Sequence, residues 1–209
     1  MLIDLHVHTT YSSCSELTIE DILNNALTHG LDGVCITDHN SMAARKDIAE
    51  GIQNDGLVVI IGMEYDTPDG DFLLFGPFED MKEGLMADEL LKIVDQRGGV
   101  AVAAHPFRCE RSVSQHIMQQ GLCHAVESIN GRNSDLENAK VGTWTRKYPL
   151  IQCGGSDAHT KDELGAVGTL IDAPVKTRDD LIHAIKSGLC TPSWNTSAPS
   201  STSLERLPD

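Results

Sequence analysis

Short apolar runs alternate with amphipathic stretches along the whole chain, and glycine-rich turns separate them. Leu2 to His8 (LIDLHVH) reads as a strand, and Thr18 to Gly30 as the helix that follows. Thr18 is placed to cap that helix with Asp21 three residues on, Ile22, Leu23, Ala26 and Leu27 form its apolar face, and Gly30 is placed to end it in a left-handed conformation. Gly33 to Thr37, Leu57 to Ile61 and Phe72 to Phe75 read as further strands. A helix from Ala87 to Arg97 leads through Gly98 and Gly99 into the strand VAVAA, which ends at His105. The same unit recurs: strand Ala125 to Ile129, helix Leu136 to Arg146, strand Leu150 to Cys153, strand Val167 to Ile171 and helix Asp179 to Lys186.

About seven strand-to-helix units predict an α/β protein closed as a parallel barrel, with a doubly wound sheet as the alternative. The length of 209 residues suits one domain, taken as residues 1–191, with a flexible Ser-, Thr- and Pro-rich tail over 192–209. The six cysteines form no CxxC pair, and the N-terminal MLIDLHVH lacks a basic region followed by an apolar core. Cytoplasmic residence with reduced thiols is the expectation, and no apolar run approaches the roughly 20 residues needed to span a bilayer. The sequence carries no signature of oligomeric state.

A net charge of -15 and an aromatic content of 4% argue against a surface that holds nucleic acid or an anionic membrane. A small anionic substrate stays admissible, because divalent cations held by acids and histidines make a site locally positive.

The chemistry-bearing residues fall where predicted strands end. His6 and His8 project from one face of the first strand and can grip one cation. Asp38 with His39, Glu64, His105, and Asp157 with His159 each follow a predicted strand, so the chain returns them to one rim, where parallel barrels carry their active sites. Each residue singly is explained as a turn cap, a surface acid or a loop histidine; their joint placement is what favours a site. His29, His116, His124 and His183 fall in helical or turn contexts and read as surface or packing residues. Arg108 and Arg132 sit just beyond strand ends, where guanidinium forks meet phosphate oxygens; a surface salt bridge is the plain alternative.

The segments DLHVHTTYS (Asp4 to Ser12), ITDHN (Ile36 to Asn40), GMEY (Gly62 to Tyr65), AHPFR (Ala104 to Arg108) and GGSDAHT (Gly154 to Thr160) resemble, in order, the motifs of the PHP (polymerase and histidinol phosphatase) family. The resemblance implies a distorted (β/α)7 barrel carrying two or three Zn, Mn or Fe ions. It places His6, His8, Glu64 and Asp157 on a first ion, Glu64 and His105 on a second, and His39 and His159 on a third, with Asp38 orienting a ligand. Asp71 stands where many relatives carry a ligating histidine, and Ser13 where many carry a ligating Asp or His, so the third position is expected to be the weakest; Cys14 is one residue displaced from it. The implied activity is hydrolysis of a small phosphomonoester by metal-activated water, with Glu64, Asp157, His159, Arg108 and Asp38 in the catalytic set and no serine or cysteine nucleophile. An amidohydrolase-like activity on a non-phosphate substrate and a non-catalytic metal-binding module are the alternatives.

Overall fold

The computed structural model describes residues 1–198. In chain order the elements are β1 (Leu2–Val7), α1 (Ile19–Asn25), β2 (Gly33–Ile36), β3 (Gly51–Ile52), β4 (Val58–Ile61), β5 (Met63–Thr67), β6 (Gly70–Phe75), α2 (Ala87–Gln96), β7 (Val100–Ala103), α3 (Gln115–Gln119), β8 (Ala125–Asn130), α4 (Asp135–Lys140), α5 (Gly142–Thr145), β9 (Ile151–Gly155), β10 (Val167–Ile171), α6 (Arg178–Lys186) and β11 (Cys190–Trp194). Thr18 caps α1 reciprocally with Asp21, and Gly30 takes a left-handed φ of 80°, both as the sequence predicts. The helix itself stops at Asn25, and the last five residues of the predicted span, Ala26 to Gly30, are turns.

The strands form a mixed α/β fold of two sheets, one in the order β11-β10-β1-β2-β4-β3 and one in the order β5-β6-β7-β8-β9. This corrects the expectation of uniformly parallel units, and closure as a (β/α)7 barrel is not confirmed: among the described residues the strand pairing falls into two sheets, several of whose pairs are antiparallel. The reason lies in connection length. β5 and β6 are joined only by Pro68 and Asp69, too short a link for a crossover, so β6 must return antiparallel; β7 then pairs antiparallel with β6, and β10 with both β1 and β11. The two sheets meet at two edges. Gly62 N–H donates to Ile36 O (2.9 Å) and a single parallel bridge joins His39 to Glu64, while another joins Val7 to Ala158. Those edges bring the ends of β1, β2, β5 and β9 to one place.

The central strands are buried on both faces, which is why they read as near-continuous apolar runs. In β4, Val59 and Ile61 pack in one core cluster and Val58 and Ile60 in a second; Phe72 and Leu74 of β6 divide from Leu73 and Phe75 in the same way. Leu181, Ala184 and Ile185 of α6 complete the second cluster. The expected tail begins too early. Pro192, Ser193 and Trp194 pair with Thr169, Gly168 and Val167 in β11, and residues 199–209 of that tail lie outside the described residues.

Gly155 is a point of close approach that positions the site. A Cβ there would lie 2.5 Å from His6 Cβ and 2.9 Å from Glu127 Oε1, so only glycine lets β9 run this near β1 and β8. Gly155→Ala is expected to destabilise the fold by about 1–3 kcal/mol through overpacking. A urea denaturation midpoint equal to that of the unmodified protein would contradict this.

Candidate metal centre

At the ends of β1, β2, β5, β7 and β9 the chain gathers five imidazoles and two carboxylates. His6 Nε2 and His8 Nε2 lie 3.0 Å apart. Glu64 Oε2 is 3.4 Å from His6 Nε2, 3.2 Å from His8 Nε2 and 3.1 Å from His39 Nδ1, while its Oε1 is 2.8 Å from His105 Nε2. Asp157 Oδ1 lies 3.5 and 3.3 Å from the same two β1 nitrogens. All of these side chains except half-buried His39 are buried.

The tautomers follow from the partners. His6 Nδ1 faces the carboxylate Glu127 Oε1 at 3.0 Å and must donate to it. His8 Nδ1 donates to Ser12 Oγ (3.2 Å), because the Ser12 hydroxyl proton already goes to Asp38 Oδ1 (2.7 Å). Both Nε2 atoms of the neutral rings are therefore left with lone pairs aimed at one another. Only a cation between them, a proton or a metal ion, makes that arrangement favourable. Nδ1 of His39 and Oδ2 of Asp71 are also buried without a hydrogen-bond partner. The residues fit divalent ions. Three groups of donors lie close enough to share one: His6, His8 and Asp157; His6, Glu64 and His105; and His8, His39 and His159.

The sequence-derived residues fall as follows. His6, His8, His39, Glu64, His105, Asp157 and His159 are brought together, with His8 joining the His39 and His159 pair. Asp71 stands at the margin, 3.9 Å from His105 Nε2, and Ser13 and Cys14 are exposed. Asp38 lies behind the cluster, accepting from Thr9 N–H, Thr9 Oγ1 and Ser12 Oγ, each at 2.7 Å, and so steadies His8 through Ser12. His159 Nδ1 lies 2.8 Å from Asp157 O and 3.0 Å from Arg132 Nη1; with its proton on Nδ1 it donates to Asp157 O, and in the other tautomer it accepts from Arg132. Arg108 does more than flank the site: Nη1 is 2.8 Å from Asp157 Oδ2, and Nη2 and Nε donate to Asn130 and Asn133.

Several residues escaped the sequence reading. Glu127, buried on β8, binds His6 and accepts from His105 N–H (2.8 Å) and Asn130 Nδ2 (2.9 Å), joining three strand ends. In the strand AVESIN it stands as one polar position among others, with Ser128 and Asn130. Buried Asp4, on the same face of β1 as His6, accepts from Ser156 and Gly165 N–H groups and from Ser156 Oγ. Burial outweighs those bonds and raises its pKa to about 6. Arg111 contacts Asp71 and Asp66. His105 and Asp157 have φ of 27° and 57°, a conformation that costs non-glycine residues of the order of 1–3 kcal/mol each and here aims both side chains inward.

Burial opposes charge throughout this cluster; the mutual fields win at His6 and Glu64, and burial wins at Asp71 and His159. Asp157, Glu127 and Glu64 hold His6 well above the ordinary histidine pKa, and His6 with its neighbours holds Glu64 well below the ordinary carboxylate range. Burial, then the Glu64 charge, lifts Asp71 to about 6; burial, then His8, lowers His159. A metal ion must therefore displace a proton from His6. Affinity is expected to rise with pH through neutrality, by about tenfold per unit for one released proton, until the His6 pKa is passed. A pH-independent affinity measured with a competing chelator between pH 6 and 8 would contradict the proton displacement.

A family model for the PHP domain matches residues 4–134, and one for the PHP-associated region matches 135–190. The chain belongs to the PHP family. It is accordingly a metal-dependent hydrolase of phosphoric esters, and the candidate cluster draws on both matched segments, since Asp157 and His159 lie in the second. An uncharacterized protein of Methanocaldococcus jannaschii, MJ1587, is 32% identical over 117 residues, covering 51% of this chain and 68% of its own. PsfC from Pseudomonas syringae superposes with a TM-score of 0.74 at 22% identity, over 95% of this chain and 93% of that one. A two-domain protein from Bacteroides vulgatus containing a predicted PHP-like metal-dependent phosphoesterase gives 0.66 at 16%, over 93% and 65%. Endonuclease Q, in complex with a 27-mer duplex substrate carrying an abasic lesion at the active site, gives 0.67 at 18%, over 90% and 57%. At such identities the likeness of the three structures is one of fold.

The endonuclease Q complex corrects the expectation of a small phosphorylated substrate and no nucleic-acid binding. That neighbour, 18% identical to this chain, is in complex with a DNA duplex, so nucleic acid is not excluded as a partner. Arg108, Arg111 and Arg132 stand around the acidic and histidine cluster. None of the described helices is long and apolar enough to cross a membrane.

Proposed function

We propose that this PHP protein hydrolyses phosphate esters of nucleic acids at the β1/β5/β7/β9 cluster. The observation that carries the reading is Glu64, whose two carboxylate oxygens touch four imidazoles within 3.4 Å. One carboxylate among four neutral or partly protonated rings is a donor set for two adjacent cations. His6, His8 and Asp157, with Glu64, would hold one, and Glu64 and His105, with Asp71 at the margin, the second; His8, His39 and His159 are the donors for a third. Mixed imidazole and carboxylate donors suit Zn, Mn or Fe(II). Bound ions of this kind supply an activated water and neutralise phosphoryl charge.

The chain's own residues do the rest. Glu127 and Ser12 fix the rings of His6 and His8 with Nε2 inward. Arg108 and Arg132, at the mouth, present guanidinium groups to phosphate oxygens. The six cysteines are free, which fits a reducing cytoplasm.

The test is cleavage of labelled single-stranded and duplex DNA and RNA, one duplex carrying an abasic site, beside phosphomonoesters. Metal-dependent cutting of at least one oligonucleotide is expected; turnover confined to monoesters would overturn the substrate class. Arg108→Ala is expected to weaken oligonucleotide binding about ten- to hundredfold, the loss of one charged hydrogen bond at about 1.5–3 kcal/mol. Because Arg108 also holds Asp157, some loss of metal affinity is expected with it; unchanged binding of both would remove Arg108 from the site.

A further inference from the structure

The geometry points to Arg111 as an exchangeable cation: it occupies the Asp71 oxygen that a second divalent ion would take and, once displaced, becomes an anion-binding group at the mouth. The inference rests on the metal-binding reading of the site. Arg111 lies between β7 and α3 and its side chain is 45% exposed, yet the guanidinium reaches inward to Asp71, which is only 4% exposed. Nε stands 3.0 Å from Asp71 Oδ2, and Nη2 3.3 Å from Asp66 Oδ1.

Neither oxygen is satisfied by a well-directed hydrogen bond, although both are buried. This is charge compensation without a matched fork, unlike the bidentate pairs in which arginine binds most firmly. The same Asp71 oxygen lies 3.9 Å from His105 Nε2, which itself faces Glu64. Asp71, His105 and Glu64 thus make a donor set across whose open side the guanidinium lies.

Which cation wins is a matter of charge and distance. A divalent ion carries twice the charge and approaches a carboxylate oxygen to about 2.0–2.2 Å, so its attraction to Asp71 exceeds that of a guanidinium at 3.0 Å about threefold in the same medium. The two cations also repel, so Asp71 Oδ2 does not serve both. The exposed Arg111 stem is free to swing, and its backbone N–H, bonded to Arg108 O at 3.3 Å, keeps the displaced group beside Arg108. There it meets an incoming phosphate.

The experiment uses the chelator-stripped full chain and Mn²⁺ in equilibrium dialysis, without substrate, for the unmodified protein, Arg111→Gln, Asp71→Asn and the double variant. Arg111→Gln is expected to bind the weaker Mn²⁺ equivalent about tenfold more tightly, and the gain is expected to vanish in the Asp71→Asn background. Inorganic phosphate binding to the Mn²⁺-loaded protein is expected to weaken about tenfold in Arg111→Gln. Equal or weaker Mn²⁺ affinity in Arg111→Gln, with the unmodified protein binding normally, would overturn this inference alone and make Arg111 a structural clamp. Tighter Mn²⁺ binding with unchanged phosphate affinity would overturn the second role. An unmodified protein that binds no Mn²⁺ would overturn the metal-binding reading beneath it as well.

Discussion

Glu64→Ala is expected to lower phosphoester turnover by roughly 10³-fold or more, because it removes the group shared by both proposed cation positions. The oxygens lost are those within 3.4 Å of His6, His8, His39 and His105, so no single imidazole replaces them. Metal content should fall in step with activity, and the metal-free variant should also change stability. Removing one partner of a buried charged cluster costs about 3–5 kcal/mol when the remaining charge stays uncompensated. His6, held protonated by the surrounding carboxylates, would lose part of that field and shift towards neutrality. A Glu64→Ala protein with native metal content and full turnover would show that another residue bridges the cluster.

Glu127→Ala is the second large effect, and it acts through other residues. Glu127 fixes the His6 ring through Nδ1 and the His105 backbone through its N–H, at 3.0 and 2.8 Å. Its loss frees His6 to adopt the other tautomer and releases the left-handed backbone at His105. Metal affinity is expected to fall about 10- to 100-fold, as when partners of ligating histidines are removed elsewhere. Glu127→Gln should recover the His105 contact but serve His6 less well, giving an intermediate loss. Because Glu127 is a positioning residue, saturating metal is expected to restore most of kcat to either variant. A kcat that stays low at saturating metal would place Glu127 among the reacting groups instead.

Most of the site was legible because its residues sit in short motifs at strand ends. A histidine pair two apart on a strand, or an acid and a histidine just past an apolar run, carries its placement in local sequence. The residues that were missed act across sequence distances that no local pattern encodes. Glu127 reaches His6 over 121 positions, and in AVESIN it looks like any polar position of an alternating strand. Arg111 sits in a loop whose path depends on the turns from Pro106 to Val113. The strain at His105 and Asp157 has only a weak sequence signal: histidine and aspartate take positive φ more readily than most residues, but neither sits in a recognised turn motif. The fold was legible at the level of elements and less so at the level of strand direction. The apolar runs located β1, β2, β4, β6, β7, β8, β9 and β10, but β5, in which polar residues follow Gly62, was not read as a strand, so the hairpin that turns β6 antiparallel went unrecognised.

The most direct test of the account is to strip the full chain with chelator, return Mn²⁺ in measured equivalents, and follow cleavage of a labelled oligonucleotide together with bound metal. The account predicts no cleavage in the stripped protein, recovery that tracks occupancy, and no recovery in Glu64→Ala at the same total metal. Full cleavage by stripped protein, or stoichiometric Mn²⁺ binding with no phosphate ester of any kind turned over, would contradict it.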